Sequence, residues 1–257
     1  MMNRAKGRRM DTLEQRWARL APHTTMVGPD DERRRPTALL FHGCGGLRDH
    51  LPLYAEAATA AGWRAAIVDS YAPRGWSREY AMATVCTGLQ FHGDKRAGDV
   101  LATIRGLSDH PLVDPERLVL AGWSHGGWGI MEAMSAECSR PCLGVADPGA
   151  VSLKGVKGAW LAYPYVGIGA WNRMRAWRHC PKVLAVIARK DHLTTVRNAE
   201  RVHDMVRGCG AEVETWIAEG SHSFDEPMNA PPMRHDSALA EESRRRFRAF
   251  LEDVAPI

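Results

Sequence analysis

Six short apolar runs, separated by segments of helical period, set the class of fold. They are TALLFHG (37–43), WRAAIVDS (63–70), RLVLAGW (117–123), VKGAWLAYP (156–164), KVLAVIARKD (182–191) and EVETWIAEGS (212–221). A strand with one wet face alternates polar and apolar residues. Near-continuous runs of Val, Leu, Ile and Ala belong instead to strands covered on both faces, as in a parallel sheet. Helices are expected between them at about 50–62, 94–108, 125–138, 194–208 and 237–253. Val100, Ile104 and Leu107 share one face of the second; Ala199, Val202, Met205 and Val206 share one face of the fourth, which Gly208 and Gly210 would end. This alternation predicts right-handed βαβ units and an α/β fold: a mostly parallel sheet of about six to seven strands with helices on both faces. A chain of 257 residues, 45% hydrophobic, can form that core as a single domain, here expected from residue 37 to 257.

Charge narrows the partners. The net charge of +4 is carried entirely by residues 1–36, where Arg4, Lys6, Arg8, Arg9, Arg16, Arg19, Arg33, Arg34 and Arg35 outnumber the acids. That segment is expected to be a solvated basic leader, and the neutral remainder gives no reason to expect nucleic acid as a partner. No stretch approaches the ~18 apolar residues of a membrane span. The N-terminal segment lacks the apolar centre and small-residue cleavage site of a secretory signal, so a cytoplasmic location without a membrane partner is expected. The six cysteines, Cys44, Cys86, Cys138, Cys142, Cys180 and Cys209, form no C-x-x-C pair, which argues against a zinc site or a thioredoxin-like motif. In a reducing compartment most would be free and buried.

Two long irregular stretches, 71–93 and 139–155, interrupt this pattern. Loops of that length in a compact domain are more often functional than idle. The first leaves the carboxyl end of a strand, the side on which open α/β sheets bind ligands.

The sequence AGWSHGGWG (121–129) contains G-x-S-x-G, a weak signal alone. Its context strengthens it: Ser124 falls between a strand and a helix, where a nucleophile elbow belongs. The turn leaves no room for side chains at Gly122 and Gly126, and Gly127 lets the helix approach the sheet. The helix N-terminus adds partial positive charge beside the developing oxyanion. A serine nucleophile needs a base, an orienting acid and an oxyanion hole, with the partners in chain order Ser…Asp…His. Asp191 ends the strand 67 residues after Ser124, and His222 follows the next strand 31 residues later. Asp225 is the rival for the acid, and His192 is read as solvated or lining the pocket. HGCGG (42–46), directly after the first strand, would give one backbone N–H to an oxyanion, from Cys44 or failing that Gly43; His125 would give the other.

These landmarks together resemble the dienelactone hydrolase family of α/β-hydrolases. FHGCGGL (41–47), VDSYAPRGW (68–76) with VC (85–86), HPLVDPERLVLAGWSHGG (110–127), ARKD (188–191) and GSHSFD (220–225) carry the resemblance over nearly all of the chain after the leader. It implies an α/β-hydrolase fold and hydrolysis of a small-molecule ester or lactone without cofactor or metal. In that reading Ser124 attacks, His222 moves the proton and Asp191 holds the imidazolium. The name-giving enzymes use a cysteine nucleophile. Serine at 124 favours carboxylesterase-like activity through an acyl-enzyme. Only residues 165–181 separate two of the strands, too few for a large lid.

Other assignments stay open. Arg74 is a candidate for binding a substrate carboxylate, or else anchors its loop to an acid. Trp123 is a candidate pocket residue; with Trp76, Trp128, Trp160, Trp171 and Trp177 it could line an acyl pocket, though core packing suits most of them. Cys44 and Cys86 lie in loops expected to meet near the site, so a disulfide is the alternative to two free thiols. The competing functions are a peptidase or acylaminoacyl hydrolase with the same triad, and a non-catalytic scaffold that binds a ligand or partner.

Overall fold

The computed structural model describes residues 10–136 and 143–256. Seven strands form one sheet: β1 (Thr24–Val27), β2 (Arg35–Phe41), β3 (Arg64–Val68), β4 (Val113–Trp123), β5 (Val156–Ala162), β6 (Lys182–Lys190) and β7 (Val213–Ser221). Their order is β1-β3-β2-β4-β5-β6-β7, parallel throughout except for β1, which runs antiparallel against β3. The chain steps from β2 outward to β3, then crosses back to β4. This reversal opens a crevice beyond the carboxyl ends of β2 and β4, the place where such sheets bind ligands.

Period-two alternation divides the strand side chains between two cores. In β2 and β4, Leu39, Phe41, Leu118 and Leu120 face one side, and Ala38, Leu40, Val119, Ala121 and Trp123 the other. The first side is covered by α1 (Leu13–Leu20), α4 (Gly93–Ser108), α5 (His125–Ser135) and α6 (Val196–Arg207); the second by α2 (His50–Ala60) and α7 (Ser237–Val254). The α/β architecture with helices on both faces is as the apolar runs predict, and no large lid lies between β5 and β6.

Three expectations change. Of the segment 1–36 expected to be a solvated leader, the described residues, 10–36, are not simply that. Thr12 and Gln15 form a capping box that starts α1, Trp17 seats where a β-carbon on Gly106 would meet it at 2.1 Å, and β1 extends the sheet. The amphipathic face of α1 (Leu13, Trp17, Leu20) was masked by the arginines around it. Second, the loop 71–93 contains a helix, α3 (Arg78–Thr84), whose first turn is capped by the Ser77 hydroxyl accepting from the Tyr80 amide. Third, cysteines expected to be free are paired, Cys44 with Cys86 and Cys180 with Cys209, at Cα separations of 5.1 and 6.2 Å. Cys138, Cys142 and the start of the stretch 139–155 lie outside the described residues, as does the end of the helix expected to reach 138, which stops at Ser135. Among the described residues no helix is long and apolar enough to cross a membrane.

Candidate active site

The turn from β4 into α5 forces Ser124 to φ 49°, ψ −109°, a left-handed backbone that a β-bearing residue adopts only when its surroundings impose it. The surroundings do. A β-carbon at Gly122 would lie 2.5 Å from the Gly127 nitrogen, and one at Gly126 would lie 2.1 Å from the Phe41 carbonyl oxygen. The Ser124 amide donates to the Ala162 carbonyl at 2.9 Å, and its own carbonyl accepts from Trp128 at 3.0 Å. Ser124 is thereby pinned between strand and helix with its hydroxyl directed across the crevice.

His222, just past β7, meets that hydroxyl. Its Nε2 lies 2.9 Å from Ser124 Oγ, and its Nδ1 lies 2.7 Å from Asp191 Oδ2. A carboxylate can only accept, so Nδ1 carries the proton and Nε2 accepts from the serine. Asp191 follows β6; its other oxygen, Oδ1, accepts the Leu193 and Thr194 amides at 2.7 and 3.1 Å. The ring of Tyr163 packs edge-on against His222 at 4.8 Å, and exposed His192 sits 5.6 Å away, bonded to neither partner. The three residues read from the sequence as nucleophile, base and acid are brought into one hydrogen-bonded chain.

Asp225, the rival acid, points the other way. It is buried against α2 and β4, accepting from Tyr54 Oη at 2.7 Å, from Trp123 Nε1 at 3.1 Å and from Tyr163 Oη. Burial, then the Asp225 charge, holds both tyrosines well above the ordinary phenol range. They remain neutral donors. Trp123 belongs to this network and to the core behind the sheet; as the last residue of β4 it alternates away from the crevice. It does not line the cavity at Ser124.

The loop after β2 is set by His42. This buried imidazole donates from Nδ1 to the Gly43 carbonyl at 2.7 Å, and its Nε2 accepts the Ser70 amide at 3.2 Å. Burial first, then the nearby Arg96 charge, keeps His42 well below the ordinary imidazole range, so this neutral tautomer persists. The Gly43 carbonyl also accepts from the Gly46 amide at 3.2 Å. Carbonyl and following amide point opposite ways across one planar peptide. Holding the Gly43 oxygen therefore turns the Cys44 N–H outward. Among the described residues that amide has no acceptor, nor does the amide of His125. The His125 ring is spent elsewhere: Nε2 donates to the Phe91 carbonyl at 2.7 Å, and burial, then Arg96, holds its pKa at about 3.

Ser124 opens into a cavity of about 360 Å³, walled by Val85, Trp128, Tyr165, Ile168 and Leu193 and by the Cys44–Cys86 bridge. Arg74 is absent from this wall. Its guanidinium bonds the buried Asp99 through both terminal nitrogens at 2.9 Å, with Arg16 on the same carboxylate at 2.8 Å. Burial would raise the Asp99 pKa, but Arg74 and then Arg16 outweigh it and hold it at about 2. Of the two roles open to Arg74, this geometry is that of the loop anchor. A larger, cationic cavity of about 580 Å³ lies on its outer side, between α1 and the 71–93 loop. The ordering role of His42, the Tyr54–Tyr163–Asp225 network and the cavity walls at Tyr165 and Leu193 went unread in the sequence. Among the described residues no cluster of His, Cys, Asp and Glu could hold a metal ion.

The chain matches no protein-family profile and no curated protein. It is similar in fold to many solved structures. An esterase of Thermogutta terrifontis phosphorylated by paraoxon superposes with a TM-score of 0.67 at 15% identity, over 91% of this chain and 89% of that one. A dienelactone hydrolase-like promiscuous phosphotriesterase from metagenomic libraries gives 0.63 at 16%, over 90% and 92%. A candidate dienelactone hydrolase of Klebsiella pneumoniae gives 0.65 at 14%, over 89% and 91%. The fold is that of the α/β-hydrolases.

Proposed function

We propose that this protein is a serine hydrolase that cleaves small carboxylic esters through an acyl-enzyme on Ser124. The observation that carries this reading is the unbroken hydrogen-bond chain Ser124–His222–Asp191 at the edge of an accessible cavity. His222 takes the proton from Oγ as the serine attacks the ester carbonyl, and the Oγ–C bond forms while the carbonyl becomes an oxyanion. The amides of Cys44 and His125 donate hydrogen bonds to that oxyanion, the second with the N-terminal dipole of α5 behind it. His222 returns the proton to the departing alkoxide as the ester bond breaks. A water then attacks the acyl carbon, giving its proton to His222; the Oγ–C bond breaks, His222 returns the proton to Ser124 Oγ, and the acid leaves. Asp191 fixes the imidazole tautomer and offsets its transient charge.

The fold neighbours that carry esterase and dienelactone hydrolase names agree with this reading, and one was phosphorylated by paraoxon. Treatment with an alkyl fluorophosphonate followed by peptide mass spectrometry tests it. The expected result is a single adduct on Ser124, abolished in Ser124→Ala and His222→Ala. Folded protein that stays unlabelled would refute it and leave a ligand-binding scaffold as the better account.

A further inference from the structure

The walls of the cavity bear on what kind of ester enters. Val85, Ile168, Leu193, Trp128 and the Cys44–Cys86 bridge make it largely apolar. Among the described residues no Lys, Arg, Asp or Glu lines it.

Its side-chain donors, Ser124 apart, are already committed within the protein. Thr87 Oγ1 donates to the Ala83 carbonyl at 2.8 Å, and Tyr165 Oη to the Ile168 carbonyl at 3.2 Å. His92 Nε2 is on the Gly88 carbonyl at 2.8 Å, and Trp128 Nε1 donates to Glu132 at 2.8 Å. His125 presents only Nδ1, a buried acceptor without a partner and useless to an anion.

The rim continues the pattern. Ile168 is 90% exposed, Leu193 43%, and Leu89, next to the lining Gly88, 75%. The guanidinium that could have met a carboxylate, that of Arg74, is held by Asp99.

We infer that the site selects esters that are uncharged and apolar in the part that enters this cavity, and that it rejects carboxylate-bearing ones. The inference rests on the reading of Ser124 as nucleophile. An ionised carboxylate placed here would lose its water and gain no cation or free side-chain donor, whereas an alkyl or aryl group would meet Trp128, Tyr165 and Leu193. Burying an unpaired charge is far more costly than burying a neutral isostere. A discrimination of at least about a hundredfold follows.

Two fluorophosphonates of equal chain length test this on the full chain, one ending in a methyl ester and one in the free carboxylate. Each would form an Oγ–P bond and release fluoride, the serine proton passing to His222. The second-order labelling rates are compared at pH 8.5, about two units above the ordinary imidazole pKa, so that histidine charge does not enter. The expected result is Ser124 labelling at least about a hundredfold faster with the neutral probe. In Ile168→Arg, an exposed position where folding is not at stake, the ratio should narrow at least tenfold.

Equal rates, or a faster anionic probe, would overturn the inference and leave the nucleophile standing. An unchanged ratio in Ile168→Arg would overturn the assignment of selectivity to this wall. If neither probe labels Ser124, the nucleophile reading falls and the inference falls with it.

Discussion

The α-carbon of Gly126 lies so close to β2 that a β-carbon on it would stand 2.1 Å from the Phe41 carbonyl oxygen. The obstacle is backbone, which cannot rotate aside as a side chain can. Gly126→Ala must therefore push α5 away from the sheet or distort the elbow at Ser124. Overpacking costs typically about 1–3 kcal/mol, and a backbone neighbour puts this site at the upper end. Urea unfolding should show a loss of about 3 kcal/mol. Ester hydrolysis should fall more than a hundredfold, because small displacements of reacting groups are felt strongly.

The link from His222 Nδ1 to Asp191 predicts a different signature. Asp191→Asn can keep the Oδ1 contacts to the Leu193 and Thr194 amides while losing the acceptor that fixes the imidazole tautomer. The expected outcome is a fall in kcat of roughly ten-thousandfold with the melting temperature little changed. A drop confined to KM would argue against the orienting role of Asp191.

How much of this could be read from the chain alone depends on how local each signal is. The six buried strands and the elbow were legible because each is written in contiguous residues: apolar runs for the strands, glycines at 122, 126 and 127 for the turn. The order of Ser124, Asp191 and His222 at strand ends was legible for the same reason. What stayed hidden depends on which distant groups the fold brings together. Arg74 could have met a substrate, but Asp99 comes from α4, and only the folded chain sets it against the guanidinium. Trp123 looked available until the parity of β4 turned it toward Tyr54 and Asp225. Helix α1 was obscured because charge dominated a segment whose apolar residues occupy a single face.

Arg74 gives a prediction of its own. Removing it by Arg74→Met leaves Asp99 buried with Arg16 as its remaining hydrogen-bonded cation. Breaking a buried pair on one side costs about 3–5 kcal/mol, and the residual partner favours the lower end. Stability measured by urea unfolding should fall by about 3 kcal/mol, while KM for a neutral ester stays within about twofold, since Arg74 does not line the cavity at Ser124. A rise in KM at unchanged stability would return Arg74 to the role of a substrate contact.

The Cys44–Cys86 bridge joins the loop carrying a proposed oxyanion amide to the segment that walls the cavity. Its cysteines are 42 positions apart, and closing a loop of that size restricts the unfolded chain by about 4 kcal/mol on the loop-entropy account. A double variant, Cys44→Ser with Cys86→Ser, should lose stability of that order under non-reducing conditions. The catalytic contribution proposed for Cys44 is its backbone N–H, which serine retains. Turnover of the folded variant should therefore drop by less than about tenfold, against the hundredfold or more that accompanies loss of an oxyanion donor. A larger loss in protein shown to be folded would mean that the bridge itself holds the amide in place.

Three histidines make stability depend on acid in a predictable direction. Burial first, then a nearby arginine in each case, lowers the pKa of His42 well below the usual range, that of His125 to about 3 and that of His203 to about 4. Between the ordinary value near 6.5 and these depressed values, the unfolded chain binds protons that the folded chain refuses. Their contribution is thus present above about pH 6.5 and is lost as pH falls, at about 1.4 kcal/mol per pH unit for each histidine. His203 isolates the effect, because it is buried on α6 with neither ring nitrogen bonded. His203→Leu should flatten the stability–pH slope by about 1 kcal/mol per pH unit between pH 6.5 and 4.5, leaving the variant more acid-tolerant than the parent. Urea unfolding at half-unit steps of pH measures that slope directly, and an unchanged slope would mean that His203 accepts its proton in the folded state.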